Sequence, residues 1–212
     1  MESCVIFCAG GFDRTAEPIG ERDYLIAADG GLVHLEKLGA PPHAIIGDFD
    51  SLGHIPLGAQ VFPVEKDDTD SMLAIRHGLE RGFRRFLIYG GLDGPRLDHT
   101  IANLQGLQFL ADNNSTGFLV GVNHVATVIK NSALCFDPDA TGIVSVFCTG
   151  RDALGVTIKG LKYSLENGSL SAGFPLGVSN HFIGEKGEIS VKDGSLLIIF
   201  DKNIPLPEVI KC

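Results

Sequence analysis

Positive charge is scarce in this chain. Across 212 residues, 17 lysines and arginines face 26 aspartates and glutamates, a formal net charge of −9. A nucleic-acid-binding surface needs clustered Lys and Arg against the phosphates, so the balance argues against that class. Long hydrophobic runs are missing as well. No stretch approaches the roughly 18 apolar residues of a membrane helix, and Glu2 followed by a short apolar run offers no secretory leader. The five cysteines (Cys4, Cys8, Cys135, Cys148, Cys212) include no C-x-x-C pair. An odd, scattered set fits a reducing cytoplasm rather than a disulfide framework or a zinc site, so the expected location is cytoplasmic. Also absent are a Walker A loop, a G-x-G-x-x-G fingerprint, a G-x-S-x-G elbow and an ordered Ser-His-Asp set.

The first half alternates short, almost unbroken apolar runs with helical patterns. The runs are Cys4–Ala9, Tyr24–Ala28, Ala44–Ile46, Gln60–Val64, Arg85–Tyr89 and Phe118–Val120. Without polar alternation they read as strands covered on both faces, as in a parallel sheet. Helices are expected at Gly31–Leu38, stopped by Gly39 and Pro41-Pro42, at Thr69–Arg81 with Thr69 or Asp68 as N-cap, and at Asp98–Ala111. Strand–helix alternation indicates a doubly wound α/β domain. After about residue 122 helical periodicity stops. Strands are expected at Val125–Lys130, Ile143–Cys148, Val156–Leu161, Glu188–Val191 and Leu196–Phe200, with hairpin turns at Asn167-Gly168, Lys186-Gly187 and Asp193-Gly194. The expected organisation is an α/β domain over 1–122 and an antiparallel β-sandwich over 123–212.

Two acidic knots stand out: Gly47-Asp48-Phe49-Asp50-Ser51 and Lys66-Asp67-Asp68-Thr69-Asp70. Five aspartates within 23 positions, each group directly after an apolar run, repel one another unless a counter-ion joins them. Oxygen ligands of this kind suit a hard divalent cation such as magnesium (Mg2+). If residues 48–50 stay extended, Asp48 and Asp50 point one way and Phe49 points into the core. Asp29-Gly30-Gly31 follows another run, where glycines would let a phosphate- or ribose-bearing ligand approach a helix start. Gly90-Gly91 with Arg96 supplies pliant backbone and a fork of donors for phosphate oxygens, and Asp98 and His99 are placed to cap the next helix. Ligands of open α/β sheets bind beyond the carboxyl ends of the strands, so these four loops should meet on one rim. The residues alone thus reach a magnesium-dependent enzyme acting on a nucleotide or another phosphorylated ligand.

In order along the chain, Ala-Asp-Gly-Gly (28–31), Gly-Asp-Phe-Asp-Ser (47–51), Lys-Asp-Asp-Thr-Asp (66–70), Gly-Gly…Gly-x-Arg-x-Asp-His (90–99) and Gly-Val-Ser-Asn (177–180) resemble thiamine pyrophosphokinase. That resemblance implies transfer of the pyrophosphoryl group of ATP to the hydroxyl of thiamine, releasing AMP and thiamine diphosphate. It implies magnesium held by Asp48, Asp50 and Asp70. It places Asp29, Gly30, Gly31, Thr69, Gly90, Gly91, Arg96, Asp98 and His99 on the nucleotide and phosphate side, and Lys66, Asp68, Ser179 and Asn180 on the thiamine side. It also implies a homodimer with thiamine at the subunit interface. Arg96 would act on the transferring group, and Asp70 or Asp98 would orient or deprotonate the thiamine hydroxyl. Eukaryotic members set a tryptophan against thiamine. This chain has none, leaving Phe182 or His181 for that role, and position 181 often carries an acid in bacterial relatives.

Two other classes compete. Asp48-x-Asp50 suggests a phosphatase of the haloacid dehalogenase type, but Ser51 follows where that class has glycine, and the motif lies far from the N-terminus. A non-catalytic thiamine or nucleotide sensor has little need to keep so many like charges together.

Overall fold

The apolar runs of the first half lie side by side as one parallel sheet in the computed structural model, which describes residues 2–49, 55–61 and 68–211. The chain divides into two units, Met1–Val122 and Asn123–Cys212. In the first, the strands are β1 (Cys4–Phe7), β2 (Tyr24–Ala28), β3 (Ala44–Gly47), β4 (Gln60–Val61), β5 (Arg85–Tyr89) and β6 (Thr116–Val120). Every neighbouring pair is parallel, in the order β6-β5-β1-β2-β3-β4. All four residues of β1 are buried, the pattern of a central strand covered on both faces. From β1 the chain steps outward through β2 and β3 to β4, then returns to the other side of β1 as β5. The direction of winding therefore reverses between β1 and β5. A crevice opens beyond the carboxyl ends of two such strands, because their connections leave in opposite directions.

Among the described residues, three helices connect the strands: α1 (Leu32–Leu38), α2 (Asp70–Glu80) and α3 (Leu97–Asp112). A 3-10 turn over Asp29–Gly31 precedes α1, so the helix opens one residue later than its pattern predicts. Gly39 ends it in the left-handed region at φ 64°, as expected. Thr69 is the N-cap of α2, its hydroxyl accepting from the Met72 N–H at 3.2 Å. At α3 the expected caps are corrected. Arg96 is the N-cap residue without a side-chain bond, while Asp98 and His99 lie inside the first turn. The β1–β2 crossover contains no helix. It is fixed by Phe12, edge-on to Phe7 and Tyr89, by the Ala16 N–H donating to the Tyr89 hydroxyl at 3.1 Å, and by the Glu17–Arg85 ion pair at 2.7 Å.

The second unit contains only strands among its described elements: β7 (His124–Lys130), β8 (Ser132–Phe136), β9 (Ile143–Lys159), β10 (Leu165–Leu170), β11 (Gly177–His181), β12 (Gly187–Ser190), β13 (Asp193–Asp201) and β14 (Glu208–Lys211). All pairings are antiparallel. The expected strands at 143–148 and 156–161 prove to be one 17-residue strand, β9. Gly150 and Gly155 lie within it at φ 74° and 65°. One flank of β9 carries β10 and then β11; the other carries β12 and then β13, to which β8 and β7 add. The three predicted hairpin turns are corrected as well. Asn167-Gly168 lies inside β10, where Leu165 to Gly168 spans the distance from Ile158 to Val156, so its positive φ serves a bulge. Lys186-Gly187 and Asp193-Gly194 lead into β12 and β13, which both pair with β9. Tertiary pairing overrode the local turn signal.

Candidate active site

The four expected loops, joined by the Cys8–Gly10 segment after β1, meet around a cavity of about 630 Å³, a size suited to a small ligand. Asp29 enters from the end of β2, Asp48 from β3, Asp68, Thr69 and Asp70 from the start of α2, Gly90, Gly91 and Arg96 from the β5–α3 loop, and His99 from the first turn of α3. The sheet itself causes this convergence. Parallel strands put all their carboxyl ends on one rim, so carboxylates 41 positions apart in sequence, Asp29 and Asp70, reach one space.

Local chemistry fixes each piece. Asp29 sits at φ 49°, a left-handed backbone that a short polar side chain tolerates. Gly90 is held at φ 69°, and a Cβ there would lie 2.3 Å from the Cys8 carbonyl oxygen. Only glycine lets the ends of β1 and β5 come this close, joined by the Gly10 N–H donating to the Gly90 carbonyl at 2.9 Å. Asp68 is engaged by Arg76 at 3.0 Å, and Arg76 in turn lies over the Phe109 ring. Arg96 donates to both carboxylate oxygens of Asp98, through Nε at 3.2 Å and the terminal nitrogen at 2.6 Å. The Arg96 guanidinium holds the Asp98 carboxyl below its ordinary range. Burial, together with the nearby Asp70 charge, pushes the Cys8 thiol up to about 12, so it stays protonated at neutral pH and supplies no nucleophile.

Not every expected residue arrives. Phe49 is buried as expected, but at φ 58° it departs from the extended geometry that would have aligned Asp48 with Asp50. Asp50 and Lys66 lie outside the described residues. Gly30, Gly31 and Asp98 are not among the cavity's lining. Gly31 serves packing instead, since a Cβ there would fall 1.8 Å from the Phe7 carbonyl oxygen. Ser179 and Asn180 belong to the second unit. Ser179 is exposed at φ 58°. Asn180 is buried, accepting from the Tyr163 and His181 N–H groups and donating to the Tyr163 carbonyl at 2.7 Å. Phe182 stands edge-on to Phe136 at 5.0 Å.

The cavity also holds residues that motif reading passed over: Cys8, Gly10, Ser71, Thr100 and Asn103. Signals for two of them exist in the chain. Ala9-Gly10-Gly11 repeats the strand-then-glycine pattern of the other loops, and Asn103 interrupts the apolar stripe of α3.

Residues 16–118 match the family model described as "Thiamin pyrophosphokinase, catalytic domain". Residues 133–196 match that described as "Thiamin pyrophosphokinase, vitamin B1 binding domain". The chain belongs to the thiamine pyrophosphokinase family. A curated thiamine pyrophosphokinase of Bacillus subtilis (strain 168) is 29% identical over 188 residues, covering 84% of this chain and 87% of the relative. The crystal structure of thiamine pyrophosphokinase from Bacillus subtilis superimposes with a TM-score of 0.80 at 27% identity, over 94% of this chain and 98% of that one. That of thiamin pyrophosphokinase from Geobacillus thermodenitrificans gives 0.75 at 28%, over 94% and 96%. The family's catalytic-domain match spans all four loops of the cavity except its Cys8–Gly10 margin.

Proposed function

We propose that this chain transfers the pyrophosphoryl group of ATP to the hydroxyl of thiamine, giving thiamine diphosphate and AMP. The observation that carries this reading is one cavity uniting aspartates from three loops with a glycine turn and Arg96, in a chain of this family. Phosphoryl transfer asks a protein for alignment and charge neutralisation rather than covalent help. Arg96 supplies a fork of donors for phosphate oxygens. Gly90 and Gly91 bring backbone rather than side chains to the cavity wall. Asp70 is the better candidate than Asp98 to orient or deprotonate the thiamine hydroxyl, because Asp98 is tied to Arg96 and its lowered basicity makes it a weaker proton acceptor.

The described lining carries four aspartates, Asp29, Asp48, Asp68 and Asp70, against Arg96. A polyanionic nucleotide is repelled from such a wall unless a cation intervenes. The donors are all oxygen, which fits magnesium, although no metal-holding group of three side chains forms among the described residues. Asp48 and Asp70, with Asp50, would hold it. When bound, magnesium would neutralise phosphate oxygens and bring them to this carboxylate-lined wall.

The finer architecture follows the same reading. The reversal of winding at β1 and β5 supports a doubly wound first domain, 1–122, for ATP and magnesium. The two flanks of β9, with Phe136 of β8 edge-on to Phe200 of β13, support a β-sandwich, 123–212, for thiamine and dimerisation. Exposed Phe174, Leu176 and Val178 adjoin Ser179 and offer apolar surface for a homodimer with thiamine at the subunit interface. A cytoplasmic location is part of the proposal; among the described residues no helix is long and apolar enough to cross a membrane. Incubation with ATP, magnesium and thiamine tests the function: AMP and thiamine diphosphate should appear together and stop on chelation. Phosphate release from simple esters without thiamine would favour a phosphatase, and binding without either product would favour a sensor.

A further inference from the structure

We infer that Asn103, a residue no motif assigns, is the positioning residue that locks the phosphate-facing glycine turn to the acidic start of α2. The inference rests on the proposed transfer reaction and concerns how this chain pre-forms its nucleotide side.

Asn103 lies on α3 and is 8% exposed. A polar amide on the buried stripe of a helix costs free energy unless its groups are paired, and here both are. Its Nδ2 donates to the Gly91 carbonyl at 2.8 Å. Its Oδ1 accepts from the Ser71 hydroxyl at 2.6 Å. Ser71 is the second residue of α2, and its hydroxyl also meets that of Thr69, the N-cap, at 3.0 Å. One side chain thus connects three elements: α3, the turn after β5 and the start of α2. Those last two carry Gly90, Gly91, Thr69 and Asp70, all on the cavity.

The chemistry requires the amide. Gly90 at φ 69° and Gly91 lack side chains to hold their peptide planes. An unengaged Gly91 carbonyl would present a negative dipole end to an incoming phosphate. With Asn103 donating to it, that oxygen is already satisfied. A Cβ on Gly91 would stand 2.7 Å from Leu119 Cδ1 and 3.0 Å from Asn103 Nδ2, so Leu119 and the amide together crowd the turn. Leucine has a similar volume but can neither donate nor accept. Aspartate keeps the acceptor for Ser71 and turns a second oxygen onto the Gly91 carbonyl.

The test compares Asn103→Leu, Asn103→Asp and Ser71→Ala with the parent in steady-state kinetics, alongside thermal melting with and without ATP and magnesium. In Asn103→Leu, kcat/KM for ATP should fall roughly 100-fold, the order expected when reacting groups shift by about 1 Å. KM for thiamine should stay within a few-fold of the parent. Ser71→Ala, which leaves the Gly91 bond intact, should lose roughly tenfold, one hydrogen bond's worth. Asn103→Asp, which keeps the acceptor for Ser71 but loses the donor to Gly91, should resemble Asn103→Leu in kinetics. A purely structural Asn103 would lower Tm yet leave the constants of the folded molecules unchanged, and that result overturns the inference. If the parent itself forms no thiamine diphosphate, the transfer reading fails separately. The inference is then decided by the ATP-dependent rise in Tm: a smaller rise in Asn103→Leu supports it, and an equal rise overturns it.

Discussion

The two ends of the parallel sheet treat polar groups in opposite ways. At the amino ends of the strands, charged and polar side chains close on one another. Arg85, starting β5, donates to both oxygens of Glu17 at 2.8 and 2.7 Å and to Ser3 at 2.7 Å. Asp23 accepts from the Ser3 and Gly20 N–H groups, His43 from Leu25, and Tyr24 stacks with His43 and His77. At the carboxyl ends the groups face a cavity instead. Asp29, Asp48 and Asp70 gather there with like charge, which a fold selected for stability alone would avoid. The difference lies in charge balance: opposite charges meet at the end that maintains the sheet, and carboxylates outnumber cations at the end where the ligand is proposed to bind.

That contrast is breakable. The largest expected effect is at the carboxyl end: Asp48→Ala or Asp70→Ala should lower kcat by roughly 1000-fold, the scale of removing a transition-state charge stabiliser, with Tm unchanged or raised. A variant that keeps magnesium-dependent AMP release would end the assignment of that carboxylate. At the opposite end Arg85→Met should do the reverse. It should destabilise the fold by about 1–2 kcal/mol, reduced from a fully buried pair because Glu17 is partly exposed, and leave kcat per folded molecule intact. Urea melts and specific activity, measured together, check both halves.

A third, smaller effect separates the ends by pH. His77 accepts from Arg81 Nε at 2.8 Å and meets the Tyr24 hydroxyl at 3.2 Å. Burial and the adjacent Arg81 charge lower its pKa from 6.5, with Glu80 opposing them. A lowered folded-state value means that the unfolded chain takes up the proton first. Stability is therefore unaffected well above pH 6.5 and declines as the pH falls through 6.5 towards the folded value. His77→Gln should flatten that part of the Tm-against-pH curve, and an unchanged slope would remove His77 as its source. The smallest effect is an expected silence. Cys4 and Cys8, buried and with thiols pushed up to about 12, should resist iodoacetamide at pH 8 until the fold is unfolded.

The sequence was a good guide where a local pattern and its tertiary use coincide. Unbroken apolar runs became β1, β2 and β5 almost residue for residue, because a strand covered on both faces has no polar position to fill. Left-handed Gly39 ended α1, and Thr69 capped α2. It was a poor guide in the second unit. Asn167-Gly168 became a bulge because a hairpin signal describes only a local turn, and two expected strands became one because β9 pairs with four neighbours along its length. The site was legible to the extent that its residues form motifs. Ser71 was hidden because it is unremarkable along its own helix, and Asn103, although it breaks the apolar stripe of α3, gives no sign in sequence that its partners are Ser71 and Gly91.

By itself, the sequence carried the strand–helix alternation of the first unit, the acidic loops after its apolar runs, and the family to which those motifs point, since each of these is written in neighbouring residues. It did not carry the strand order of the second unit, where β8, β10, β11 and β14 had no counterpart among the expected strands. That the four loops share a rim was already expected from the parallel sheet; the tertiary structure settled which of their residues line the cavity. It set β5 beside β1 and brought Asp29, Asp48 and Asp70 onto one cavity, while leaving Gly31 to packing and Asp98 to Arg96. The reason is geometric: parallel strands bring their carboxyl ends to a common rim, and which of them adjoin depends on pairings between distant runs that no local pattern records.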